Sequence, residues 1–280
     1  MIAVVYSGSK SAFWRISKED HTAVQCTIPG INPFFNDQKQ ILHLLNNEIT
    51  LINYAEQIKK IYVFAEGASH IDAQSLLEET LQIFFKNSKI IVKNDLFGAA
   101  IAACEHKNGI VCILGSGANC AYFDGKKLEK NCFGLGYLLG DEGSANYLGK
   151  MLLKNYLEDK LPKDLKHIFE NKYHLDRALI LERIYKKPNP QNYLSHFFDF
   201  YVENKKHQFI QCQIDLAFEK YFSIYLIPTL KLHPNEEVHF VGTVAGTFEE
   251  NIHLIAEKHN INITSIKREP INNLLAYYSN

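Results

Sequence analysis

The chain has 280 residues, 46% of them hydrophobic and 22% charged, with a formal net charge of -1, which suits a sizeable core in one large or two medium domains. So even a balance gives no electrostatic reason to expect nucleic acid or an anionic membrane as partner, and no run approaches the roughly eighteen apolar residues of a spanning helix. The opening MIAVVYSGSKS lacks a basic region followed by a long apolar one, so the expected location is cytoplasmic. The six cysteines form no C-x-x-C pair and the twelve histidines no H-E-x-x-H, so buried free thiols are expected rather than a zinc or iron–sulfur centre.

Ile2 to Val5 reads as a strand, Ser7-Gly8-Ser9 as a turn, and the alternations over Phe13 to Ser17 and His21 to Thr27 as two further strands of an antiparallel meander. The loop Gly30-Ile31-Asn32-Pro33-Phe34-Phe35 follows. A residue before proline is held extended, which would leave the Asn32 amide free to read a ligand; a surface turn over a buried Phe pair is the plainer reading. Helical spacing runs from Asp37 to Gln57, a strand covers Ile61 to Phe64, and an amphipathic helix covers Ile71 to Phe85. Ile90 to Val92 reads as a strand and Leu96 to His106 as a helix of small residues. Three strands followed by alternating helix and strand describe an α/β domain with a mixed sheet.

Asp95 stands just beyond a strand's C-terminal end and at a helix start. Asn94 or Asp95 could cap that helix. Ligands of α/β sheets also bind outside the carboxyl ends of strands, where a carboxylate can take a proton from a substrate hydroxyl. The residues alone leave both roles open.

Between Gly109 and Gly149 lie nine of the fifteen glycines. IVCIL (110–114) and NCAYF (119–123) read as strands joined by the tight turn Gly115-Ser116-Gly117-Ala118, whose N–H groups and hydroxyl suit phosphate. Gly140-Asp141-Glu142-Gly143-Ser144 then opens a helix over Ala145 to Glu158, placing two carboxylates and a helix N-terminus across the same space. Leu161 to Lys231 is helical, with a two-proline break in KKPNPQNY (186–193) and a long apolar helix over Gln208 to Ile227. Val238 to Val241 is a strand, Gly242 to Gly246 a small-residue turn, Phe248 to Lys258 a helix, Asn262 to Ile266 a last strand and Ile271 to Tyr278 a closing helix. The sheet signals fall into two sets, before Glu105 and after Gly109, so two domains with a cleft between them are expected.

Four stretches carry a resemblance along nearly the whole chain: GINPF (30–34), NDLFGAA (94–100), ILGSGANC (113–120) with GLGYLLGDEGSANYLG (134–149), and VGTVAGTF (241–248) followed by EPINNLLAYY (269–278). Together they resemble the acetate and sugar kinase, heat-shock cognate and actin superfamily, and within it the branch of N-acetylglucosamine kinases and benzoyl-CoA-reductase-activating ATPases. The activators need a cysteine ligand set that this sequence lacks, which favours the sugar kinases. The resemblance implies an α/β fold of two ribonuclease-H-like, actin-like ATPase domains with mixed sheets, residues 1–107 and 108–269, with the segment 270–280 packing back on the first. It implies ATP and Mg2+ as cofactors, a sugar and a nucleotide as small-molecule partners, and a homodimer. It implies Asp95 as general base, and Asn32, Ser116, Asn119 and Asp141 as sugar contacts. Ser7, Gly8, Ser9, Lys10, Gly115, Ser116, Gly117, Gly242 and Thr243 would then meet the nucleotide.

One departure bears on the chemistry. The family's first hairpin reads Asp-x-Gly-x-Thr-Lys-Thr, its Asp helping to hold Mg2+; here the place reads Tyr6-Ser7-Gly8-Ser9-Lys10-Ser11-Ala12, and the first carboxylate in the chain is Glu19. Lys10 and the serine hydroxyls are the available substitutes. Ala65-Glu66-Gly67 replaces a more usual Gly-Ala-Gly, and Leu135 a Trp. The sequence therefore supports an ATP-dependent amino-sugar kinase, with N-acetylglucosamine and its 6-hydroxyl foremost. The alternative is a catalytically impaired sugar- or nucleotide-binding protein of the same fold, and more remotely an ATPase that drives a partner.

Overall fold

The computed structural model describes residues 1–18 and 22–279. Glu19 and His21, the latter the expected start of the third strand, lie outside the described residues. The first sheet has five strands in the order β3-β2-β1-β4-β5: β1 (Ile2–Ser7), β2 (Ser11–Ser17), β3 (Ala23–Pro29), β4 (Lys60–Ala65) and β5 (Lys89–Asn94). The meander β1-β2-β3 is antiparallel, and β1, β4 and β5 run parallel. The second sheet, β7-β6-β8-β9, joins β6 (Asn108–Leu114) and β7 (Ala118–Asp124) as a hairpin and adds β8 (Val238–Val241) and β9 (Ser265–Lys267) in parallel.

The two-residue period of a strand sorts β1 between two cores. Ala3 and Val5 join Trp14, Ile41, Leu45, Leu77 and Leu81 on one face. Val4 on the other face packs with Phe64, the helix Asp95–Cys104, and Val111, Ile113 and Phe123 of the second sheet. That small-residue helix is thus the wedge between the sheets. It comes so close to β4 that a Cβ on Gly98 would stand 2.6 Å from Cγ of Phe64. The closing helix Ile271–Ser279 returns to the same core through Ile271 and Leu274. Arg15 Nε donates to Asn272 Oδ1 at 3.0 Å, and the Tyr62 and Tyr278 rings stack at 3.7 Å. A third core holds the second sheet against the helical region 163–232 through residues such as Leu148, Phe169, Phe200, Tyr221 and Phe240.

Several elements differ from the sequence reading. The helix expected over Asp37 to Gln57 is two helices, Gln38–Asn46 and Ile49–Tyr54, because Glu48 accepts from Thr50 N–H at 3.0 Å and starts a new N-terminus. The expected turn at 242–246 is a short helix, Thr243–Thr247. The last strand starts later than Asn262, because Thr264 N–H goes to Val238 O and the ladder with β8 begins at Ser265 opposite His239. The long apolar helix ends at Tyr221 and continues as a wider π-turn over Phe222–Leu226.

Candidate functional site

The turn of the β1-β2 hairpin and the turn of the β6-β7 hairpin meet tip to tip, with Ser9 Oγ 3.3 Å from Ser116 Oγ. Ser9 Oγ also lies 2.6 Å from Oε2 of Glu66, the residue after β4. Tyr6 pairs with Phe64 across the parallel β1-β4 ladder, so Tyr6, Phe64 and Glu66 fall on one face of the sheet. That face also receives Asp95.

Asn94, not Asp95, caps the following helix: its side chain accepts from Phe97 N–H at 2.8 Å. Asp95 is the first helical residue, and the bond to Phe97 N–H is left to Asn94. Burial pushes it up to about 6, offset by the N–H groups of Leu96 and of Asp95 itself, with the Asp141 charge adding to the rise. Burial likewise pushes Glu66 up to about 7, reinforced by Asp95 and Asp141 and opposed by hydrogen bonds from the Ser9 hydroxyl and the Ser9 N–H. Tyr6 is held well above the usual phenol range by burial and then by the charges of Asp95 and Glu66. The family's carboxylate position therefore carries a neutral phenol, while a carboxyl enters the same space from β4.

Asp141 serves as a clamp. Its Oδ1 accepts from Ala118 N–H at 3.0 Å and its Oδ2 from Asn146 Nδ2 at 3.3 Å, which fixes the second hairpin. Burial raises its carboxyl, offset by those same two donors. Asp141 stands in the left-handed region (φ 64°), its N–H donating to Tyr225 Oη at 3.1 Å; the Tyr225 hydroxyl in turn donates to Glu142 Oε2 at 2.7 Å. A cavity of about 630 Å3 opens beside the first hairpin, lined by Ser9, Lys10, Gly30, Asn32, Asp37 and Gln191 among others.

Four expectations are corrected. The helix Ala145–Leu157 does not present its N-terminus to a ligand. Ala145 N–H goes to Gly115 O at 2.9 Å, Asn146 N–H to Ser116 O at 3.1 Å and Tyr147 N–H to the Ser144 hydroxyl at 3.2 Å, so the helix start holds the hairpin. Ser7 is fully buried, and its hydroxyl both donates to Ile31 O (3.0 Å) and accepts from Ile31 N–H (2.8 Å), so it anchors the Gly30–Asn32 loop rather than a nucleotide. The Asn32 amide is only half free: its oxygen accepts from Phe34 N–H at 2.9 Å. Gly242 adopts φ 126°, and a Cβ there would run into the Leu114 carbonyl. The approach of β8 to β6 by itself requires glycine there, so the residue type is no sign of an adenine.

The remaining expected residues divide by place. Gly8 faces Ser116, and nothing lies within contact of a Cβ at Gly115. Gly117 packs on Asp141. Lys10 and Thr243 are exposed. Asn119 sits in β7, its Oδ1 accepting from Cys120 N–H at 2.9 Å. Leu135 is exposed. Among the described residues no group of three or more His, Cys, Asp or Glu is placed to hold a metal ion. Oxygen donors suit Mg2+, but with a phenol at Tyr6 these residues do not build a magnesium site.

Sequence reading missed Glu66 as a site residue, although its departure from Gly-Ala-Gly was visible; it also missed Tyr225 and Asn146, for which no local signal exists.

No protein-family model matches the chain. A candidate N-acetylglucosamine kinase from Porphyromonas gingivalis has a crystal structure that superposes with a TM-score of 0.91, at 30% identity over 99% of this chain and 98% of that one. An N-acetylmuramic acid/N-acetylglucosamine kinase of Clostridium acetobutylicum is 29% identical over 115 residues, 41% of this chain and only 38% of that relative's length. A glucokinase of the ROK family from Streptomyces griseus, solved with glucose and AMPPNP, superposes with a TM-score of 0.56 at 12% identity, a likeness of fold alone. The α/β architecture with two mixed sheets is that of the actin-like ATPase fold of these sugar kinases.

Proposed function

This chain belongs to the N-acetylglucosamine kinase-like sugar kinases, and on that premise we propose that it phosphorylates an amino sugar with ATP, N-acetylglucosamine foremost, at the 6-hydroxyl. We place it in the branch that joins these kinases to the benzoyl-CoA-reductase-activating ATPases. The observation that carries the reading is Asp95. Asn94 makes the capping bond to Phe97, and the Asp95 carboxylate is close enough to act, with Asp141, on the charge of Glu66, whose partner Ser9 stands where the two hairpin tips meet.

With its carboxyl near 6, Asp95 is largely ionised at neutral pH yet basic enough to take a proton. In the proposed step the sugar oxygen loses its proton to an Asp95 oxygen and forms a bond to the γ-phosphorus. The bond from that phosphorus to the β,γ-bridging oxygen breaks, and ADP leaves. Such transfer rests mostly on positioning and charge stabilisation. Asp141 contributes by fixing the second hairpin, and Ser9, Gly8, Gly117 and Ser116 form the edge along which phosphates would lie. The amide nitrogen of Asn32 and the side chain of Asn119 are the proposed sugar contacts. Residues 1–107 and 108–269 are taken as the units that close on the ligands. Mg2+ would enter on the nucleotide's phosphates, where it would neutralise charge.

The test is coupled ADP release against a panel of hexoses, N-acetylhexosamines and N-acetylmuramic acid. Stimulation by N-acetylglucosamine above the other sugars is expected; turnover that no sugar stimulates overturns the reading. A second reading, a sugar- or nucleotide-binding protein with impaired turnover, is favoured by the half-buried phenol of Tyr6, on whose charge Asp95 and Glu66 act. Tyr6→Asp separates the two. A large gain in turnover, with ATP affinity that becomes magnesium-dependent, supports impairment; no gain over an active parent rejects it.

A further inference from the structure

Three oxygen groups form a line across the junction of the two sheets: Glu66 Oε2, Ser9 Oγ at 2.6 Å from it, and Ser116 Oγ a further 3.3 Å on. Each serine hydroxyl owns a single proton. When Glu66 is ionised it can only accept. Ser9 then points its proton at the carboxylate, and Ser116 can donate along the line only towards Ser9. When Glu66 is protonated the order reverses. The acid donates to Ser9, Ser9 donates to Ser116, and Ser116 is left to turn its own proton into the cleft. The charge state of one carboxyl on the first sheet therefore sets whether Ser9 competes as an acceptor for the Ser116 proton or donates to Ser116 and leaves that proton to the cleft.

The surroundings place this choice within reach of a ligand. Asp95 from the helix start and Asp141 from the turn after Gly140 act on Glu66, and Glu66 in turn acts on Tyr6 of β1; none of them is cationic, and Lys10, in the same hairpin as Ser9, is exposed. Burial and the two carboxylates hold the Glu66 proton up to about 7. An anion arriving beside Ser116 would accept its hydrogen bond and would also, by its charge, favour the neutral acid.

We propose that Glu66 is a positioning residue for the nucleotide's phosphates: phosphate binding in the cleft draws one proton from solvent onto the Glu66 carboxylate, and the Ser9–Ser116 line turns its donors towards the phosphate. This rests on the nucleotide reading given above. The step is a proton transfer alone: a solvent proton forms the carboxylic O–H, and no other bond changes. By linkage, whatever favours the proton also favours the phosphate.

The test is titration calorimetry of the full chain with ATP at about pH 8, in two buffers of different ionisation enthalpy, for the parent, Glu66→Gln and Ser9→Ala. The slope of the observed heat against buffer enthalpy counts protons. The parent is expected to take up about 0.5–1 proton per ATP bound, and Glu66→Gln close to none. Ser9→Ala is expected to take up less than the parent while still binding. A merely structural Glu66 would leave proton uptake unmoved. ATP binding whose heat does not depend on buffer, or uptake equal in the parent and Glu66→Gln, overturns this inference and leaves the nucleotide reading standing. No binding of ATP to the folded parent overturns both.

Discussion

Glu66→Gln should stabilise the protein in alkaline solution and scarcely at all in acid. The folded carboxyl titrates at about 7 against an ordinary 4.5. A raised carboxyl favours folding while the unfolded group is still protonated, and that contribution is lost as pH rises through the folded value. The parent therefore loses stability between about pH 4.5 and 7, relative to a variant that cannot ionise. A difference near 2.5 units at about 1.4 kcal/mol per unit gives a little over 3 kcal/mol when complete, of which about 2.5 kcal/mol falls between pH 5 and 8.5. Glutamine retains an oxygen and a donor for Ser9, so changes in packing enter equally at both pH values and cancel in the comparison. For a chain of this length about 2.5 kcal/mol corresponds to roughly 4 °C in Tm. The assay is thermal melting of parent and variant at pH 5 and 8.5, without ligand. A gain for Glu66→Gln that is larger by several degrees at pH 8.5 is expected. An equal gain, or an equal loss, at the two pH values would refute the placement of Glu66 among Asp95, Asp141 and Tyr6.

Asp141→Ala leaves the Ala118 N–H and the Asn146 amide without their acceptor and should cost about 1–3 kcal/mol, read as a lower urea midpoint at unchanged slope. An unchanged midpoint would mean that the hairpin does not depend on that clamp. Gly98→Ala drives a methyl against the Phe64 ring and should also cost about 1–3 kcal/mol. Stabilisation, as helix propensity alone would give, would show that the wedge helix stands clear of β4. Asp95→Asn should lower turnover by about 10²–10⁴-fold while calorimetry still detects sugar binding. Retained turnover would remove Asp95 from its role as base.

Most strands were legible because each is a short apolar or alternating run with turn residues at its ends, and both hairpin tips follow from Ser7-Gly8-Ser9 and Gly115-Ser116-Gly117. Local competition was harder to read. Apolar spacing continues through Asn46-Asn47-Glu48, yet the Glu48 side chain caps a second helix there. Residue type could not decide between Asn94 and Asp95, since either has the chemistry of a cap. What the Ser7 hydroxyl and the Ala145 and Asn146 N–H groups bond to depends on segments brought together only by the fold: the Ile31 loop for one, the Gly115-Ser116 tip for the others. Tyr225, more than eighty residues from its partners at 141 and 142, has no local signature at all. Glu66 was visible as an odd residue after a strand, but its meaning needed the parallel register that sets it on the face of Tyr6 and beside Ser9.

The most direct test of the account is the identity of the product. The protein is incubated with ATP, Mg2+ and N-acetylglucosamine, and the mixture is read by phosphorus–proton correlation spectroscopy. The account predicts a new phosphomonoester coupled to the two protons on C6 of the sugar, absent with Asp95→Asn. Sugar and ATP that both bind the parent without any phosphosugar forming, or a phosphosugar formed equally by Asp95→Asn, would contradict it.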